Sequence, residues 1–445
     1  MNKLRIITGH CSVFRVILIG FSLVILAGSY LLCLPIASAQ GTWTSYIDAL
    51  FTSTSAVCVT GLIVHDTATY WSLFGKIVIL ILIQIGGLGV VTVAAVIAIL
   101  SGQKIGLMQR SLMQSSISAP GIGGIVRMTK FIVKGTILIE LLGAAIMAPV
   151  FIGDFGIIKG IGYAIFHSIS AFCNAGFDLM GVRSPYSSLT TYVDNPVINL
   201  TVVALIIIGG LGFLSWTDLL KNRFHLKDLH LQTKVILTMT FFLILLPFLY
   251  FYFVEYTEVT CGQRILMSLF QSVTPRTAGF NTADYSHMSD TGILITIGLM
   301  LIGGAPGSTA GGMKVTTFCV VLLSVNAALR QKKTVSICKR RFTGETIHDA
   351  FTLASTYLFL LLLGAAMISS MEGMPVLRTM FECASALGTV GLTTGITPLL
   401  HMSSKLILIL FMFFGRVGVL TLAYATVRRK EVRKGILPEE KVMVG

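Results

Sequence analysis

Eight apolar stretches, near 16–35, 75–100, 131–152, 196–216, 235–254, 292–324, 350–370 and 405–426, are each long enough to cross a lipid bilayer, which takes about 20 apolar residues in a helix. Few folds are open to such a chain, because backbone in hydrocarbon must satisfy its own hydrogen bonds. Composition agrees. Of the 445 residues, 12% are charged and 54% hydrophobic, against about a quarter charged in soluble domains, so a soluble globule and a disordered chain are both excluded. At the start, Lys3, Arg5 and Arg15 precede the apolar run Val16 to Leu34, and Ala37-Ser38-Ala39 imitates a cleavage site. A signal peptide has a shorter apolar core of about 7 to 15 residues, so this run is read as the first transmembrane helix.

Four shorter half-apolar segments, 49–62, 165–177, 269–280 and 381–392, alternate with these stretches and end in small residues. They are too short to span, and read as re-entrant half-helices followed by extended backbone. Their glycines fall at Gly61, Gly176, Gly279 and Gly391, in steps of 115, 103 and 112 residues. A second set follows, Gly86-Gly87, Gly209-Gly210, Gly303-Gly304 and Gly415; counted to Gly87, Gly210, Gly304 and Gly415, the gaps are 26, 34, 25 and 24. The long gap holds an insert from Arg183 to Ser188 that reads as a surface loop. Self-similarity of this kind marks a repeat architecture. The expected fold is an all-α polytopic membrane protein of four tandem helix, re-entrant pore loop, helix repeats (1–100, 101–220, 221–325, 326–445), in pseudo-fourfold arrangement around a central ion pore.

Charge supplies orientation. The net charge of +14 would suggest nucleic acid in a soluble protein. With residue 1 cytoplasmic and eight alternating helices, the 33 basic residues divide into 25 inside, 7 outside and Arg416 within the membrane; the 19 acidic ones divide into 7, 11 and Glu140. The inside therefore carries +18 and the outside −4, a positive-inside bias that places both termini in the cytoplasm and all four re-entrant loops outside. The clusters Arg330 to Arg341 and Arg428 to Lys434 flank helix ends and read as topology signals ahead of lipid or nucleic-acid patches. The eight cysteines show no C-x-x-C spacing and read mostly as small apolar fillers.

Re-entrant backbone is tolerated in a membrane only where protein buries it or it lines an aqueous path. Four such loops about one axis would form rings of carbonyls able to replace the water shell of an alkali cation. The turns carry almost no carboxylate, so coordination falls to the main chain of Val57, Cys58, Val59, Thr60 and Gly61; Phe172, Cys173, Asn174, Ala175 and Gly176; Arg276, Thr277, Ala278 and Gly279; and Gly388, Thr389, Val390 and Gly391.

With one glycine per short filter, the string Thr274-Pro275-Arg276-Thr277-Ala278-Gly279-Phe280-Asn281-Thr282 and the string Gly388-Thr389-Val390-Gly391-Leu392, the chain resembles the Trk/Ktr/HKT superfamily of potassium transporters. Its length, the lack of extra N-terminal helices and the short basic C-terminus look most like the KtrB type of membrane subunit. The resemblance covers nearly the whole chain. It implies potassium uptake across the cell membrane, a homodimer with one pore per protomer, potassium as the transported ion, sodium as an activator, and a cytosolic KtrA-like ring that binds ATP or ADP. The abbreviated, non-equivalent filter segments predict weaker discrimination against sodium than in a tetrameric potassium channel.

Two features bear on gating. Gly303, Gly304, Ala305, Pro306, Gly307, Ser308, Thr309, Ala310, Gly311, Gly312, Met313 and Lys314 form a run that cannot stay helical. It reads as a flexible loop below the filter that blocks the pore, the alternative being a kink filled by neighbouring helices. A phosphate-binding loop is discarded, since Met313 stands at the lysine position. Arg416 follows Gly415, taken as the counterpart of Gly87; its guanidinium would raise a barrier to cations and bond the carbonyls of the loop, the alternative being a structural pair with a carboxylate such as Glu140. Glu140 itself reads as buried against a neighbour, with an ion-coupling role left open. Arg276 is expected to hold its filter from behind through backbone, Asp178 and Glu382 to gather cations at the outer mouth, and His65, His167 and His287 to be surface or packing residues.

Other classes predict other patterns. A secondary transporter of another cation or solute would show two inverted repeats, and an intramembrane enzyme would need paired catalytic groups on a spanning helix, so the chain is read as no enzyme. A purely structural subunit would leave the repeated loops unexplained.

Overall fold

In the computed structural model, residues 13–421 are described, except 102–104, 119, 120, 224, 333, 339 and 420. The basic cluster from Arg428 to Lys434 lies outside them. Among the described residues the chain is almost wholly helical.

Each repeat opens with a long apolar helix: α1 (Val13–Cys33), and later Ile125–Phe155, Leu231–Tyr250 and Gly344–Glu372. Among the described residues these are the four helices long and apolar enough to span alone, the third counted with the π-helical turn Phe251–Glu255 that prolongs it. In the first repeat α2 (Tyr46–Val57) is the re-entrant half-helix, α3 (Leu73–Leu88) returns, and α4 (Val90–Leu100) and α5 (Leu107–Ile117) lead onward. The second repeat has α6 (Ile125–Phe155), half-helix α7 (Ile157–Phe172), α8 (Pro196–Gly210) and α9 (Phe213–Lys221). The third has α10 (Leu231–Tyr250), half-helix α11 (Cys261–Val273), α12 (Asp290–Leu301) and α13 (Val315–Leu329). After a short hairpin, β1 (Ser336–Ile337) with β2 (Arg340–Arg341), the fourth has α14 (Gly344–Glu372), half-helix α15 (Val376–Gly388) and α16 (Met402–Val417).

Local chemistry sets these boundaries. The returning helices of the first three repeats start on side-chain caps: Ser72 accepts from the Gly75 N–H, Asn195 from Val197 and Ile198 ahead of Pro196, and Ser289 from Gly292. The half-helices are buried on nearly every side at their C-terminal ends. Phe51, Phe166 and Phe381, each ten residues ahead of its glycine, are fully or almost fully buried. The molecule is a multi-pass membrane protein whose core is the cluster of half-helices, with the long apolar helices around it.

The apolar stretches read as second spans of the first two repeats are not single straight helices, because each bends sharply at a glycine. Between α3 and α4 the chain turns by 95°, and between α8 and α9 by 93°. The pivots are Gly89 (φ 86°, ψ 132°) and Gly212 (φ 85°, ψ 139°), and Gly418 (φ 88°, ψ 130°) ends α16 in the same conformation. Only glycine adopts such angles without strain. These pivots also correct the register. Gly89, Gly212 and Gly418 lie three residues after Gly86, Gly209 and Gly415, so Gly415 matches Gly86, and Arg416 takes the place held by Gly87, Gly210 and Gly304. Contacts agree: a Cβ on Gly86, Gly209 or Gly415 would strike the carbonyl of Val57, Phe172 or Leu387, each four residues before Gly61, Gly176 or Gly391. The third repeat has Pro306 at the pivot and opens there into the loop 302–314.

Candidate functional site

The four glycines meet. A Cβ on Gly61 would strike the Ala175 carbonyl, one on Gly176 the Ala278 carbonyl, one on Gly279 the Val390 carbonyl, and one on Gly391 the Thr60 carbonyl. The ring therefore closes in chain order, each repeat abutting the next. Two residues before each glycine stands a second left-handed residue: Val59 (φ 57°), Asn174 (φ 59°), Thr277 (φ 72°) and Thr389 (φ 52°). Left-handed residues on either side of one with negative φ bring successive carbonyls toward one side of the strand, which is how a run of peptide dipoles comes to face a common axis. Non-glycine residues with positive φ carry strain that the surroundings must sustain. The half-helices α2, α7, α11 and α15 all end at this ring, aiming the negative ends of their dipoles at it. The Asn174 amide oxygen and the Thr389 hydroxyl are buried beside it without a hydrogen-bond partner among the described residues.

Two classes of support hold the ring. In the first and fourth repeats the Gly61 and Gly391 N–H groups donate to the hydroxyls of Ser55 and Ser385, both at 3.0 Å. In the second, the equivalent Ser170 donates instead to the Phe177 carbonyl at 2.7 Å, and in the third, where Val273 stands, Thr274 donates to the Phe280 carbonyl. Asn174 bonds Thr277 at 3.2 Å across the boundary between those two repeats. Val57 and Phe172, expected among the filter carbonyls, are the last residues of their half-helices; their carbonyls pack against Gly86 and Gly209, with Thr309 donating to Phe172 at 3.2 Å.

The glycine-rich loop of the third repeat lies directly against the ring. Its neck is closed by the Gly303 N–H on the Met313 carbonyl (2.7 Å) and the Val315 N–H on the Gly304 carbonyl (3.1 Å). Its body is stitched to the second repeat, with Ala305 donating to Gly210 (2.9 Å) and Phe213 to Gly307 (2.8 Å), and to the fourth through Gly312 and Gly415 (3.1 Å). Gly311 sits where a Cβ would strike Thr389. Arg416 donates to the carbonyls of Thr309, Gly86 and Gly87, so one guanidinium joins the first, third and fourth repeats. Among the described residues it meets no carboxylate; Glu140 is bonded instead by Gln84 at 3.2 Å. Lys314, the last residue of the loop, sets its ammonium on the carbonyls of Ala310 (2.7 Å) and Gly311 (3.3 Å). A cavity of about 290 Å³ lined by Lys314, Arg416, Ser115 and Ser116 adjoins the loop, and one of about 850 Å³ lies beyond the ring, among Asn281, Thr394, Asp284 and Glu255.

Expectations for two polar residues, Glu382 and Arg276, change. Glu382 is fully buried and gathers no ions at the mouth: its carboxylate accepts from Thr393, Thr394 and Thr397, pinning the turn after Gly391. Asp178 accepts from the Met180 N–H at 2.9 Å. Arg276 reaches the Thr240 hydroxyl on α10 at 3.2 Å and not backbone. His167 is buried, between the Tyr163 carbonyl and the Leu179 N–H. Nothing in the spacing pointed to Asp66, which caps the turn after Gly61 through Ala68 and Thr69 and also accepts from the Tyr186 N–H of the insert.

Comparison with known proteins follows the same outline. The family described as TrkH, cation transport protein, matches residues 22–434. Ktr system potassium uptake protein B of Bacillus subtilis (strain 168) is 42% identical over 423 residues, 94% of this chain and 93% of that protein. Potassium/sodium uptake protein NtpJ of Enterococcus hirae is 38% identical over 443 residues, 97% of each. The crystal structure of the potassium transporter TrkH from Vibrio parahaemolyticus superposes with a TM-score of 0.74 over 94% of this chain and 86% of that one, at 22% identity, and so shares the fold. With four re-entrant loops closing one ring and a match that runs almost end to end, the chain belongs to the TrkH family of cation transport proteins.

Proposed function

We propose that this chain carries potassium into the cell through the ring of filter backbone at Gly61, Gly176, Gly279 and Gly391, and that the loop 303–314 together with Arg416 gates that path. The observation that carries the reading is the closed ring with its paired left-handed residues: peptide carbonyl dipoles around one axis can replace the hydration shell of a monovalent cation. The loop lies across the way from the ring to the inner cavity, and a positive group fixed beside it opposes a passing cation. Relatives named as potassium uptake and potassium/sodium uptake proteins fit this substrate class, and the second of those names fits the modest sodium discrimination expected of an abbreviated filter.

In this reading the ring faces outward and both termini face the cytoplasm, following the +18 to −4 charge division. The chain works as a homodimer, sodium activates it, and a cytosolic nucleotide-binding ring regulates it by shifting the loop between two positions. The experiment is potassium uptake by cells that lack their own uptake systems. Growth at low potassium with the wild-type chain, and none with Gly279→Leu at equal expression, supports the proposal; equal growth with both overturns it.

A further inference from the structure

Glu140 stands in the middle of α6, 7% exposed, with no cationic partner among the described residues. A carboxylate placed so deep in a membrane protein is costly, and the gating and filter residues above make no use of it. Its neighbours explain its place. One oxygen accepts from the Gln84 amide at 3.2 Å, and the other lies 3.8 Å from the Cys173 sulfur, which is also 3.6 Å from the Gln84 oxygen. The Ser168 hydroxyl ties the backbone of the same helix position to α7 at 2.6 Å. The acid and the amide thus bracket the thiol three residues before Gly176.

The second repeat needs such a support because it lacks the one used in the first and fourth. Ser55 and Ser385 clamp the filter glycine N–H, whereas Ser170 is turned to Phe177. In the third repeat, which also lacks the clamp, Arg276 occupies the position of Cys173 and is likewise held by the first helix of its repeat, through Thr240. The first and fourth repeats carry Cys58 and Gly388 there. First-helix contacts to half-helix hydroxyls occur in clamped repeats too, as Ser53 to the Ile25 carbonyl and Thr379 to the Ala365 carbonyl. What accompanies loss of the serine clamp is anchoring, by a side chain of the first helix, of the residue three before the glycine.

We infer that Glu140 is a positioning residue for the second filter segment, acting through Cys173 with Gln84, and that it sets discrimination between potassium and sodium. The inference rests on the proposed function, since it requires that Gly176 and its neighbours line the cation path. It is tested with the purified full chain in proteoliposomes, by potassium and sodium uptake and their ratio. Glu140→Leu is expected to lower the potassium to sodium ratio at least threefold, and Glu140→Gln, which keeps the shape and a hydrogen-bonding oxygen, to restore most of it. Cys173→Ala, a smaller change, is expected to shift the ratio in the same direction as Glu140→Leu. A wild-type ratio in both Glu140→Leu and Cys173→Ala overturns the inference. So does equal loss in Glu140→Gln and Glu140→Leu. Lack of cation uptake by the wild-type chain would instead refute the function on which it rests.

Discussion

Arg416 on the last described helix donates to the Thr309 carbonyl at the heart of the third repeat's loop, residues 107 positions apart in the chain. The loop is thus latched by a charge from another repeat, and the same guanidinium holds Gly86 and Gly87 of a third. A charged donor bonded to carbonyls contributes about 1.5–3 kcal/mol per bond, enough to keep the loop in place and small enough to be overcome.

Arg416→Gln removes the fixed positive charge and weakens the latch. Potassium uptake is expected to rise about tenfold, which corresponds to a barrier lower by about 1.4 kcal/mol. Unchanged or reduced flux at matched expression would count against a barrier at this residue.

Gly391→Ala places a methyl group against the Thr60 carbonyl at a backbone angle (φ 96°) that alanine resists. Uptake should fall to a small fraction of wild type while the protein remains in the membrane, as measured by rubidium influx alongside surface labelling. Full activity would show that the ring tolerates expansion and is not the conducting element.

Ser55→Ala leaves the buried Gly61 N–H without its acceptor, a loss worth about 1–3 kcal/mol. Selectivity for potassium over sodium is expected to drop more in Ser55→Ala than in Ser170→Ala, because Ser170 bonds a carbonyl after the glycine and not its N–H. Reversal potentials in mixed salts decide between them, and the opposite order would refute the two-class description of the filter supports.

Glu382→Ala strips the turn after Gly391 of an acceptor for three threonines. Orphaned buried donors are expensive, so the thermal midpoint in detergent should fall clearly below wild type, with Glu382→Gln intermediate. An unaltered midpoint in Glu382→Ala would mean that water takes over those bonds.

Much of the molecule is legible in one sequence because membrane helices announce themselves by apolar length and because four copies of a glycine rule out coincidence. The sharp turns at Gly89 and Gly212 were not, since a hydropathy window averages across a pivot that a single residue supplies. The mistaken pairing of Gly415 with Gly87 has a similar cause: Gly86-Gly87 and Gly209-Gly210 are doublets, and Arg416 conceals the second member of the fourth. Glu382 looked like a mouth residue because sequence distance from Gly391 does not reveal that the side chain turns inward to the threonines behind it.

The ring of four glycines is drawn from one continuous polypeptide. In an assembly of four identical subunits a single codon change alters every quadrant at once, and symmetry forbids any finer adjustment. Here each quarter is separately heritable, so a serine clamp can persist on two sides while the Ser170 and Thr274 hydroxyls make other bonds on the remaining two. A mutation scan of such a ring should therefore return graded phenotypes, quadrant by quadrant, where a symmetric tetramer would return mostly failure.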